Sequence, residues 1–150
     1  MGELQPPRMV DITGKGEVVR EATAVGSVRL RKETVERIKR GEVEKGDPCA
    51  VASIAAIMAA KNTPQIIPLC HPVRVTHVET QYELGESSLT ARVKVKSLGK
   101  TGVEMEALTA LSIYLLTVWD MVKAYEKDEA GQYPHTRIEG VYVESKVVEK

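Results

Sequence analysis

The residues best suited to chemistry in this chain lie in six short stretches. Ile67-Pro68-Leu69-Cys70-His71-Pro72 sets a thiol and an imidazole in a bend pinned by proline on both sides. Proline restricts the backbone on either side of it, so His71 has one main orientation. A Cys–His nucleophilic pair is one use of such a bend. Adjacent residues of an extended segment point to opposite faces, however, and a structural turn with a buried thiol fits equally well. His77 has the parity to share a strand face with His71, but two histidines without a third ligand make a poor zinc site. Gly99-Lys100-Thr101-Gly102 resembles the end of a phosphate-binding loop. It fails the full pattern, which requires glycine six residues before the lysine, where Lys94 stands. What remains is a glycine-flanked turn entering a helix, whose free N–H groups can still meet a phosphate.

Carboxylates and ammonium groups supply the rest. Glu104 and Glu106 fall in the first turns of a helix, where acidic groups complement the macrodipole. Asp120 and Lys123 share one helix face, either as a surface ion pair or as a proton-handling pair if a subunit shelters them. Lys45 precedes a helix start, where an anion would feel both the lysine and the dipole. Lys61 ends the same helix. Several lysines, usable carboxylates, one histidine and no metal-ligand cluster suit an anionic substrate handled by acid–base and electrostatic means.

The totals are consistent with a soluble protein of one domain. The chain has 150 residues, 43% apolar and 28% charged, with 21 acidic and 21 basic side chains. That balance argues against a nucleic-acid binder, which needs a basic excess. Two cysteines are too few for a disulfide scaffold and point to a reducing, cytoplasmic setting. The first ten residues lack the apolar run of a signal peptide. The apolar stretch Ala107–Val118 is broken by Thr109, Ser112 and Thr117, and is too short and too polar to span a bilayer.

The elements that must position these groups follow from periodicity. Residues 1–8 read as a flexible lead-in and 9–150 as a single domain. Alternation predicts a strand over 22–31, a hairpin of strands 73–84 and 89–98, and a closing strand over 137–148. A short charged helix over 34–40 stops at Gly41. A better-signalled one starts with Asp47 as N-cap and Pro48 in the first position, ending at Lys61 before Thr63-Pro64 and Pro68. A long helix covers about 102–125. Its polar stripe of Glu106, Thr109, Ser112, Thr117, Asp120 and Lys123 is interrupted by Ile113 and Leu116, so its middle is apolar nearly all round, which calls for a second subunit over its outer side. The expected fold is α+β: a ferredoxin-like antiparallel sheet with helices packed on one face, oligomeric.

Several of these segments, with others, resemble the cyclic pyranopterin monophosphate synthase family of molybdenum cofactor biosynthesis. They are Met9-Val10-Asp11-Ile12, Lys45-Gly46-Asp47-Pro48, Ile57–Lys61, Ile67–Pro72, Thr101–Ala110 and Asp120–Ala124. The resemblance runs from about residue 9 to 146. It implies a ferredoxin-like fold, and a hexamer built as a trimer of dimers with active sites at the dimer interface. It implies an enzyme that rearranges 3′,8-cyclo-7,8-dihydroguanosine 5′-triphosphate and expels pyrophosphate. Position by position, it makes Asp120 the catalytic aspartate with Lys45 and Lys123 as catalytic partners. Leu69, Cys70, His71, Met105 and Glu106 become substrate contacts, and Lys15, Arg20, Lys61 and Lys146 the basic groups around the triphosphate. It implies no cofactor firmly and assigns no residue to a metal, although Mg2+ can accompany a triphosphate. Two departures stand out: Ser53 where the family usually carries arginine, and a chain ending in Val147-Val148-Glu149-Lys150 without the common Gly-Gly-Lys-Ser-Gly tail. Two competing expectations are a purine-nucleotide-binding module without catalysis and a thiol enzyme using Cys70. A pure binder has no use for a carboxylate beside a polyanion, and a thiol enzyme would lose its activity in Cys70→Ala.

Overall fold

The computed structural model describes residues 4–149. Residues 1–3 of the expected lead-in, and residue 150, lie outside the described residues. Leu4–Arg8 are exposed and without regular structure. Seven elements follow: β1 (Val18–Arg29), α1 (Lys32–Arg40), α2 (Pro48–Ile66), β2 (Arg74–Leu84), β3 (Ser88–Gly99), α3 (Glu104–Glu126) and β4 (Arg137–Val148). The strands form one antiparallel sheet in the order β2-β3-β1-β4. The two parallel strands β1 and β2 are separated by β3, which is the split βαβ arrangement expected of a ferredoxin-like fold.

Alternation accounts for the sheet's two faces. On β3, Leu89, Ala91, Val93 and Val95 are fully buried, whereas Arg92, Lys94 and Lys96 point to the open face. There they pair with Glu79 of β2 and Glu21 of β1 and, across β1, with Glu144 of β4. The buried face receives α3, which packs on β1, β3, β4 and α2. Contact is closest at Gly26, where a Cβ would lie 2.8 Å from Leu111 and 2.9 Å from Val141. Only glycine lets the helix and strand approach this far.

Several boundaries differ from expectation. β1 begins at Val18 rather than 22, because Val18–Glu21 pair with Lys96–Gly99. α2 runs past Lys61 to Ile66 with Pro64 inside it. The proline costs the helix one bond, the one its missing N–H would make to the Ala60 carbonyl, and the helix closes beyond it with the Ile67 N–H on the Thr63 carbonyl at 2.9 Å. Asp47 caps α2 as expected, its carboxylate accepting from the N–H groups of Cys49 and Ala50. Gly41 ends α1 in the left-handed region with φ 68°.

α3 lies within two residues of the expected 102–125, but it is more continuously apolar than the broken stretch Ala107–Val118 suggested, and by length and apolarity it would suffice to cross a bilayer. Its packing makes it the core helix of the domain instead. Ala107, Ala110, Leu111, Tyr114, Leu115, Val118 and Val122 are all buried against the sheet and α2. On its outer side Leu116 is half exposed, and α2 adds a stripe of exposed Val51, Ile54 and Met58.

Candidate active site

The expected site residues fall into two groups at opposite ends of α3. The first is built by the last turns of α3 and the α1–α2 connection. Lys45 Nζ lies 3.1 Å from the Asp120 carbonyl and 3.5 Å from Asp120 Oδ2, and Lys123 Nζ lies 3.0 Å from Oδ1. Asp120 is thus a carboxylate between two ammonium groups, with its side chain 58% exposed. The Lys123 hydrogen bond, its charge and then the charge of Lys45 hold the Asp120 carboxyl below the usual carboxylate range. The same contact with Asp120 raises Lys123 above the ordinary lysine value. Exposed ion pairs add little stability. A cluster of this kind, open to solvent and locked in its charged state, is suited to receiving an anion that can replace water around the lysines.

The second group surrounds the start of α3. Glu106 is 2% exposed, and burial pushes its carboxyl up; its own backbone N–H opposes the rise and the Glu104 charge adds to it. Such a group can carry a proton at higher pH than an ordinary glutamate, which equips it as an acid. Met105 beside it is 40% exposed and Leu69 44% exposed. Cys70 lies close enough to feel the Glu106 charge, which adds to the effect of burial in pushing its thiol up, away from the thiolate a nucleophile needs. His71 does not activate it: its Nε2 meets the Val10 carbonyl. His71 also precedes β2, and a bulge at Thr76 shifts the register before His77, so the two histidines do not share a regular strand face. No group of three or more histidine, cysteine or acidic side chains among the described residues is arranged to hold a metal ion.

Of the basic residues mapped to the triphosphate, Arg20 and Lys146 contact the entrance to α3 and Lys15 lies on a turn tied to it. Arg20 is engaged, its Nε donating to the Gly99 carbonyl at 3.1 Å and its Nη2 to that of Lys100 at 3.3 Å. Lys146 pairs with Glu104 at 3.2 Å. Lys15 is exposed on the turn that follows Asp11, and Lys61 is exposed near the C-terminal end of α2; neither has an ion pair among the described residues. The turn itself is held by the Asp11 carboxylate, which accepts from the Thr13 N–H and hydroxyl. It is tied to the α3 entrance by Lys100 Nζ, which donates to the Thr13 carbonyl at 3.0 Å.

Two participants escaped sequence reasoning. Lys100 was visible only as part of a failed phosphate-loop pattern. Tyr125, whose hydroxyl accepts the Glu44 N–H at 2.8 Å, carried no local signal because the contact joins distant parts of the chain.

The two groups do not meet within one chain. Glu106 and Asp120 are about 21 Å apart along α3 at ~1.5 Å per residue. What the arrangement offers chemically is therefore two half-sites: a fixed carboxylate flanked by ammonium groups, and a buried acid beside free and paired cations.

The model of the MoaC family matches residues 9–148. A protein of Methanococcoides burtonii, described as a "Probable cyclic pyranopterin monophosphate synthase", is 56% identical over 141 residues, 94% of this chain and 89% of the relative. Similarly described proteins of Thermococcus onnurineus and Sulfurisphaera tokodaii are both 54% identical. They match over 143 residues (95% of this chain, 92% of the relative) and 140 residues (93% of each). A match across almost the entire length, with more than half of the aligned residues shared, places this chain in the MoaC family.

Proposed function

We propose that this protein is a lyase of molybdenum cofactor biosynthesis. It converts 3′,8-cyclo-7,8-dihydroguanosine 5′-triphosphate to cyclic pyranopterin monophosphate and releases pyrophosphate. The relatives' described activity supports the reaction, and the Lys45–Asp120–Lys123 cluster is the observation in this chain that carries it. Closure of the cyclic phosphate forms one P–O bond from a substrate hydroxyl and breaks another to pyrophosphate. A carboxylate kept ionised by two lysines can take the hydroxyl proton, and the lysines can neutralise the charge that builds on the leaving pyrophosphate. A triphosphate of about four negative charges requires several cations. Lys15, Arg20, Lys61 and Lys146 supply them in this reading, with Leu69, Cys70, His71, Met105 and Glu106 lining the purine-derived rings.

The split of the two groups supports assembly in which the site is completed by a second subunit. A twofold axis across the exposed Val51, Ile54, Met58 and Leu116 would set one protomer's Asp120 end against its partner's Glu106 end. Three such dimers give the hexamer that the resemblance implies. Two unpaired cysteines suit the reducing cytoplasm.

Two other readings fit less well. A binding module without catalysis gains nothing from the Asp120 carboxylate, which repels a polyanion. A thiol enzyme needs a low-pKa cysteine, and Cys70 is shifted the other way. The test is to supply purified protein with the cyclised GTP-derived triphosphate and follow cyclic pyranopterin monophosphate and pyrophosphate. Lys45→Ala and Asp120→Ala should bind but lose turnover, and Cys70→Ala should retain much of it. Wild-type turnover in either of the first two would remove the role assigned to that residue.

A further inference from the structure

Lys45 sits on a connection with few anchors. Between α1 and α2, Val43 is buried and Asp47 caps the next helix, but Glu42, Glu44 and Lys45 are all exposed. Gly46 closes a turn on the Val43 carbonyl at 3.0 Å with φ 113°. A segment with so little buried contact opens easily, and a lysine on it has many rotamers to choose from. A charged group that assists a reaction must be held more tightly than this.

α3 supplies the constraint. Among the described residues, the one hydrogen bond from the backbone of this connection to α3 runs from the Glu44 N–H to Tyr125 Oη, at 2.8 Å. The next residue is Lys45, whose ammonium returns to Asp120 on the same helix. The tyrosine is itself braced. The Arg37 guanidinium lies 4.4 Å from its ring centroid, and Arg37 also donates to the Glu42 carbonyl at 3.3 Å. α3 therefore grips the connection through Tyr125 and the tip of the lysine through Asp120.

We propose that Tyr125 is a positioning residue for Lys45: its hydroxyl fixes the Glu44 backbone so that the Lys45 ammonium is presented at Asp120. It acts through the lysine and not on the substrate. The inference rests on the reading of Lys45 as a catalytic partner. The hydroxyl is the operative part, because the ring packing and the stacked guanidinium survive in Tyr125→Phe while the acceptor is lost. Glu44 is exposed, so water can take over its N–H and the fold loses little. What is lost is orientation.

Tyr125→Phe should lower kcat about five- to tenfold, the scale of one lost hydrogen bond expressed in the transition state. KM and Tm should stay close to wild type. Hydrogen exchange of the Glu44 amide should accelerate in the same variant. Arg37→Met, which keeps the hydroxyl and removes the brace, should show a smaller change in both readouts. Wild-type kcat in Tyr125→Phe overturns the proposal. So does a kcat loss with unchanged Glu44 exchange. If Lys45→Ala alone keeps full turnover, the catalytic reading of Lys45 fails, and the exchange measurement still reports separately whether Tyr125 holds the connection.

Discussion

At the scale of single residues, the two ends of α3 carry carboxyl groups shifted in opposite directions, and each shift has a measurable sign. Asp120 is held low by Lys123 and then Lys45. Its contribution to an acid limb of kcat therefore lies below the ordinary aspartate range. Lys123→Met removes the largest cause and should move that limb to higher pH, in a pH–rate profile run beside the wild type. Glu106 is held high by burial. Its folded-state pKa lies above its unfolded value, so the folded chain binds the proton more tightly. The stability this brings is complete below the unfolded pKa and is lost as pH rises through the folded one. Glu106→Gln lacks that loss. Its Tm relative to wild type should climb as pH goes from about 4 to 7, and a flat difference over that interval would contradict the assignment. The same substitution should abolish turnover, since the amide cannot deliver a proton.

At the scale of elements, one buried carboxylate joins the pieces that frame the first half-site. Glu126, at the end of α3, is 0% exposed. It accepts from the Arg31 N–H at the start of α1, from the Thr34 hydroxyl and, at 2.7 Å, from the Thr136 hydroxyl just before β4. An anion at a helix N-terminus also suits the dipole of α1. Glu126→Ala leaves those donors buried without a partner and should cost about 3 kcal/mol in denaturant unfolding. A cost near zero would mean that water replaces the carboxylate. Gly26 sets the spacing between α3 and the sheet in a similar way. Gly26→Ala places a methyl 2.8–3.0 Å from Leu111, Val141 and Leu115, and overpacking of that kind costs about 1–3 kcal/mol.

For the whole molecule, the separation of the two groups along α3 is decisive. A helix is rigid at this length, so no motion within one chain joins Asp120 to Glu106. If two protomers share each site, inactive Lys45→Ala and inactive Glu106→Gln subunits should complement one another. Random mixing makes half of the dimers mixed, and each mixed dimer has one site free of both substitutions, so about a quarter of wild-type activity should return. No recovery after verified subunit exchange would separate Glu106 from the Lys45–Asp120–Lys123 site and would remove the need for the twofold arrangement.

Much of this was legible in the order of residues. Local rules sufficed for the elements: period-two alternation gave β4 its observed bounds and β2 and β3 theirs to within a residue, Asp47-Pro48 marked the start of α2, and Gly41 the end of α1. The long blocks around Cys70-His71 and Glu104–Glu106 carried the family resemblance. Where α2 ends was not legible, because Pro64 reads as a stop, yet the helix continues through it to Ile66 and closes with the Ile67 N–H on the Thr63 carbonyl. Nor could the site's division be read. Lys45 meets Asp120 and Tyr125 meets Glu44 because α2 and α3 pack side by side, and such contacts depend on the crossing of elements far apart in the chain. The chain's residue types specified the charges available for chemistry; packing decided which of them share a neighbourhood, and so the electrostatics that shift Asp120 down and Glu106 up.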